Sequence, residues 1–230
     1  MGGDAARCCC PRERRRVSVA AADVLRPAPW SKSLTRWWRG ADLPAVVSLV
    51  ASKAGLRGQL LPYTRVDGRP AFPLAVIDDD LAAQRLQRDQ WPILDRGVLK
   101  DHASTGFVEA PPEAVALAGF VVVEPFRVAR QHLAGLRTWA PTVAAVPTWR
   151  PLDALAAAEC DYYGYRVVIT DGVDASPLAV EVRPRRQPSR HDPWRRLRDE
   201  QMFQLALECG LVTERTLTPL HERRSVRRLL

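Results

Sequence analysis

Thr148 to Gly210 constrains the fold most, because helix, strand, turn, strand, basic loop and helix follow one another with little slack. Leu152, Leu155, Ala156 and Glu159 stand at helical spacing in the Ala-rich segment Asp153 to Tyr162, which predicts a helix. Tyr163-Gly164-Tyr165 interrupts it. Arg166 to Thr170 is β-branched and predicts a strand. Asp171-Gly172 is a turn dipeptide, with Val173 to Pro177 as a short loop. Leu178 to Arg183 predicts a second strand. Glu181 and Arg183, two apart, would share one of its faces, and Pro184 ends it. A basic loop with Arg185, Arg186 and Arg190 leads to Asp192-Pro193, an N-cap followed by a proline at the first helical position. The helix runs through Leu197, Gln201, Gln204, Leu205 and Leu207 and stops near Gly210.

That order of elements, with Glu-x-basic on the second strand, resembles the PD-(D/E)xK nuclease fold. Val180-Glu181-Val182-Arg183-Pro184, followed by a helix ending Leu207-Glu208-Cys209-Gly210, is similar to transposon-end-cleaving endonuclease subunits of the TnsA type. The resemblance covers about the last third of the chain. It implies that Asp161 and Glu181 are catalytic carboxylates that hold Mg²⁺. It places Arg183 where the family has its catalytic lysine, and Gln201 or Gln204 on a helix lining the site. Phosphodiester hydrolysis needs such ions to activate water and steady the leaving oxygen, and hard cations select carboxylate oxygens. The chain departs from the pattern at Cys160, where a proline is usual, and at Arg183, which stays charged and does not exchange a proton readily. Asp161 also falls within the predicted helix. Without the resemblance, Glu181 and Arg183 read as a solvent-facing pair on an amphipathic strand.

Charge sets the partner class. The formal net charge is +8, and all but three of the 34 basic residues are arginine, Lys32, Lys53 and Lys100 being the exceptions. A GC-rich bacterial coding sequence explains arginine in place of lysine. It does not explain the excess over acidic residues, which points to nucleic acid, DNA first. The 47% hydrophobic content of the 230 residues suffices for a sizeable core. Five cysteines (Cys8, Cys9, Cys10, Cys160 and Cys209) fit no zinc spacing. Neither a membrane span nor a secretory signal is evident, so a cytoplasmic location is expected.

Met1 to Arg16 reads as a disordered basic tail, or as sequence upstream of the true start. Val17 to Leu25 is a strand or short helix. Trp30 to Arg39 (WSKSLTRWWR) sets Trp30, Leu34, Trp37 and Trp38 at helical spacing between basic residues, with Ser31 or Ser33 as cap. Tryptophans among arginines can stack bases and contact phosphates, can lie at a membrane interface, or can dock a helix on the core, the last being favoured. Ala45 to Leu56 predicts a buried helix. Gln59 to Val66 and Ala71 to Ile77 predict a hairpin around Asp67-Gly68, pushed toward a sheet edge by Pro62, Pro70 and Pro73. Asp78-Asp79-Asp80 precedes a helix from Leu81 to Gln90. A Mg²⁺ place and plain helix capping both fit it, and capping is favoured. Ile93 to Pro112 reads as loop and Glu113 to Ala118 as a turn of helix. Phe120 to Glu124 reads as a buried strand, Arg127 to Arg137 as a helix, and Thr142 to Val146 as a strand. Thr213 to Leu217 reads as a strand. His221 to Leu230 is a basic tail.

The expected architecture is α/β, a mixed sheet flanked by helices, with a restriction-endonuclease-like C-terminal part. The expected division is a tail (1–16), an N-terminal module (17–140) and a nuclease-like module (141–230). The expected function is nucleic-acid-associated: a Mg²⁺-dependent endonuclease-like subunit of a mobile element or defence system. The alternative is a non-catalytic protein binding nucleic acid or a protein partner through a basic face of Arg183, Arg185, Arg186, Arg190, Arg195, Arg196 and Arg198. Walker, dinucleotide, HExxH and GxSxG motifs are absent from the sequence, which argues against common nucleotide hydrolases, oxidoreductases and hydrolases.

Overall fold

Asp67 and Gly68 both have positive φ, 51° and 74°, the geometry of the tight hairpin turn that matches strand twist. They join β2 (Thr64–Val66) to β3 (Arg69–Ile77) in register, with Val66 opposite Arg69. The structure is a computed structural model that describes residues 24–105, 110–177 and 192–212. Its sheet has seven strands in the order β1-β3-β4-β5-β6-β7, with β2 also on β3. The remaining strands are β1 (Gln59–Leu60), β4 (Val115–Val122), β5 (Thr142–Pro147), β6 (Arg166–Thr170) and β7 (Ala175–Pro177). Strands β4, β5 and β6 are parallel, while β3 and β7 flank them antiparallel. The helices are α1 (Lys32–Trp37), α2 (Leu43–Lys53), α3 (Asp79–Gln87), α4 (Arg96–Thr105), α5 (Phe126–Leu136), α6 (Ala154–Tyr163) and α7 (Pro193–Glu208). From β4 to β6 the chain makes two successive βαβ crossovers through α5 and α6.

Each face of the sheet is covered. On one face, Leu34, Trp38, Val46, Val47 and Val50 of the α1–α2 region pack on Leu74, Val121, Val143 and Val168. On the other, Phe126, Ala129, Leu133 and Leu136 of α5, Cys160 of α6 and Met202, Phe203 and Leu205 of α7 pack on Phe120, Val122, Ala144 and Val167. Burial on both sides explains why the parallel strands are near-continuously apolar. The 17–140 and 141–230 modules expected from the sequence share this one sheet, with β5 in its interior.

Local signals act as predicted at several ends. The hydroxyl of Ser31 accepts from Leu34 N, Asp78 from Leu81 N and Asp192 from Trp194 N, while Asp153, not expected as a cap, accepts from Ala156 N. Asp78 to Asp80 thus serve as the cap and first turn of α3. Trp38 is fully buried and its indole Nε1 donates to Val123 O at 2.8 Å, so the Trp-rich segment does dock on the core.

Four expectations need correction. Residues 93–112 contain helix α4. Asp95 accepts from Gly97 N and Val98 N at its start, and α4 packs on α7. Glu113 to Ala118 leads into β4 rather than forming a helical turn, because pairing of Val115, Ala116 and Leu117 with β3 overrides the helical preference of alanine. Val173 to Pro177 is not all loop, since Ala175–Pro177 pairs with β6. Finally, β3 is interior, and the edge is the β1–β2 pair interrupted at Pro62. Pro73 O accepts from Leu61 N, so the missing N–H of Pro73 faces that interrupted edge, where it breaks no regular ladder.

Candidate functional site

Asp161 lies exposed near the C-terminal end of α6, separated from β6 by the turn at Gly164. Its carboxylate is therefore on a helix, whereas the nuclease resemblance needs it at a strand. Glu181, Arg183, Arg185, Arg186 and Arg190 lie outside the described residues, as does the predicted strand 178–183. Among the described residues no three His, Cys, Asp or Glu side chains gather where they could share a metal ion.

Arg195 and Arg196, expected to face nucleic acid, turn inward. Arg195 donates to Trp139 O and Leu117 O. Arg196 donates to Pro111 O at 2.7 Å and pairs with Glu200 at 2.6 Å. Arg198, 4% exposed, pairs with Asp67 of the hairpin turn and stacks on Trp139. The expected basic face of α7 is thus a set of internal anchors. At its centre Arg85, 1% exposed, makes a bidentate pair with Glu200 at 2.8 and 2.9 Å. It also donates to the carbonyls of Gln90, Trp91 and Pro112 and stacks on Phe203. Glu200 accepts from Ile93 N as well. Each charge in this cluster is hydrogen-bonded, the condition under which a buried ion pair is tolerated.

Asp199 is different. Its Oδ1 accepts from Leu117 N at 2.7 Å, while no N–H group reaches its buried Oδ2 within hydrogen-bonding range. Arg195 Nε stands 3.8 Å away. Burial first, then a proton shared with the Glu113 carboxyl, pushes Asp199 up to about 8, against the pull of Leu117 N–H and Arg195. This acid pair lies where β4 begins, far from the cleft described next.

A cleft opens beyond the C-terminal ends of β4 and β5. Two loops build it. Pro125 follows β4 and starts α5, and Trp149-Arg150-Pro151 follows β5 and leads to the Asp153 cap of α6. Trp37, from the end of α1, closes the third side. The cleft holds about 500 Å³ and is lined by Trp37, Phe126, Arg127, Trp149, Arg150 and Asp153, among others. Trp149 Nε1 donates to Trp37 O at 3.2 Å, which fixes the two tryptophans together across 112 positions of sequence. Arg150 lies over the Trp37 ring at 5.6 Å from its centroid, and Arg39 over Trp149 at 4.8 Å. Arg39, Arg127 and Arg150 are exposed and form no salt bridge among the described residues. Helix α5 starts here without a side-chain cap, so the positive end of its dipole adds to these charges.

Beside it, Tyr63 OH donates to Glu124 Oε1 at 2.6 Å, and burial pushes both groups up. Of the lining residues, only Trp37 falls in the Trp-rich segment that stood out in the sequence, which also supplies Arg39 over the Trp149 ring. Trp149-Arg150 carried a weaker signal, a Trp-Arg pair directly after a predicted strand. No family model, no curated protein and no solved structure matches this chain.

Proposed function

We propose that this chain is a nucleic-acid-associated binding protein whose contact site is the arginine–tryptophan cleft at the ends of β4 and β5. The observation that carries the reading is the stacking of Arg150 on Trp37 and Arg39 on Trp149 at the mouth of a cleft with no acidic partner for either arginine among the described residues. Guanidinium groups held flat on aromatic rings keep their donors free for phosphate, and the net charge of +8 favours a polyanion. The inward pairing of Arg195, Arg196 and Arg198 moves the proposed contact away from α7. Of the two expected functions this supports the binding protein.

The test is retention of a labelled 30-mer as salt is raised, for the natural chain and for Arg39→Ala/Arg127→Ala/Arg150→Ala. Each lost phosphate contact lowers the log–log salt slope by about 0.7 to 0.9. A fall of about two in the triple variant supports the cleft. An unchanged slope and affinity would refute it. Plasmid incubated with Mg²⁺ in the same series addresses cleavage: nicking that disappears in Glu181→Ala would replace the binding reading with the endonuclease one.

A further inference from the structure

Resting on that reading, we infer that the cleft accepts one unstacked nucleobase of a single strand, with its flanking phosphates on Arg39, Arg127 and Arg150, and excludes duplex. The three arginines are exposed, whereas Trp37 and Trp149 are half-buried behind them and Phe126 is 7% exposed. Charge therefore lies at the rim, and the floor behind it is formed by guanidinium planes laid over the Trp37 and Trp149 rings. A duplex presents phosphates to a rim but keeps its bases paired and stacked, so it never meets the floor. A single strand presents both, because an unpaired base can leave its neighbours and stack on an indole or a guanidinium plane. A cleft of about 500 Å³ is the size of a small-ligand site, suited to one nucleotide and too small for a helix.

Asp153 narrows the class further. One of its oxygens caps α6 through Ala156 N at 2.7 Å. The carboxylate stays in the wall of an otherwise basic cleft. A carboxylate there repels an acidic peptide more than a nucleotide, whose charge sits at the phosphates and whose base edge offers amino donors to it. The tryptophan pair is preorganised, because the Trp149 Nε1 to Trp37 O bond and the edge-on packing of Trp149 on buried Trp38 hold the floor rigid. Little ordering is then required when a base enters.

The test uses the full chain with five probes: a 12-mer single-stranded DNA, the same sequence as RNA, a hairpin duplex of equal charge, a nucleoside monophosphate and a poly-glutamate of equal charge. Affinity is read by anisotropy and by quenching of tryptophan fluorescence. The expected result is single strands bound at least ~10-fold tighter than the hairpin. Trp37→Ala should lower single-strand affinity ~10-fold and hairpin affinity by clearly less, while Trp37→Phe, which keeps a stacking face, should retain most of both. Melting curves confirm that both variants fold. Three results would overturn the inference while leaving the proposed function standing: equal binding of hairpin and single strand, single-strand binding indifferent to Trp37→Ala, or a monophosphate that binds as tightly as the 12-mer. Displacement of the 12-mer by poly-glutamate, or failure of every nucleic acid to bind, would overturn both.

Discussion

Asp199→Asn should stabilise the protein, and by more at high pH than at low. Asp199 is 2% exposed, and one of its oxygens has no N–H donor. Its folded-state value near 8 lies far above the ordinary carboxyl value of 3.8. Between those values the folded chain keeps a proton that the unfolded chain has released. The folded state therefore binds more protons, and stability falls as pH rises from about 4 to about 8, then levels off. The slope cannot exceed about 1.4 kcal/mol per pH unit, which sets a ceiling of about 4 kcal/mol lost by neutral pH. Asparagine removes the titration. Its Oδ1 still accepts from Leu117 N, and its amide can donate to the Glu113 carboxylate. Against this stands the lost attraction to Arg195, which keeps its bonds to Trp139 O and Leu117 O. The net expectation is a gain of roughly 1–3 kcal/mol at pH 8.5, shrinking toward zero at pH 5. Urea unfolding of the natural chain and the variant at pH 5, 7 and 8.5 measures both. A variant that is less stable by the same amount at every pH would refute the reasoning, since Asp199 would then be an ordinary carboxylate paired with Arg195.

Glu200→Ala should cost about 3–5 kcal/mol in chemical unfolding, because it leaves Arg85 charged, buried and without its bidentate partner. Trp38→Ala should lose about 3–5 kcal/mol, while Trp38→Phe, which loses mainly the bond to Val123 O, should lose less. Gly58→Ala should lower the melting temperature, since φ is 131° and an added Cβ would stand 2.9 Å from Ala75 O beside the bulge in β3. Cys160, fully buried with its thiol pushed up to about 12 by burial, should stay unmodified when the native protein meets iodoacetamide at pH 8, and react once unfolded, as read by peptide mass spectrometry.

Within the expected site, sequence and structure meet unevenly. Caps and turns were legible because their chemistry is local: Ser31, Asp192 and the Asp67-Gly68 turn each act on a backbone group within a few residues. Asp161 was legible as a helical residue for the same reason, by its place in an Ala-rich periodic run. The basic face of α7 misled, because a helix rich in arginine reads as a solvated surface when its partners cannot be seen. Arg198 finds Asp67 across 131 positions and Arg85 finds Glu200 across 115. Helix α4 was hidden by Gly97 and by a polar composition that becomes helical only against α7.

The sequence by itself determined the alternation of elements, their ends, the apolar strands that require cover on both faces, and the excess of positive charge. Those are properties of neighbours along the chain. Only the tertiary structure decided which charges point inward. It joined the two expected modules through β5, and it brought Trp37 of α1 against Trp149 behind β5 to make a cleft. The physical reason is that an ion pair or a cleft is made by side chains that meet in space, and a one-dimensional period carries no information about which distant segment arrives opposite.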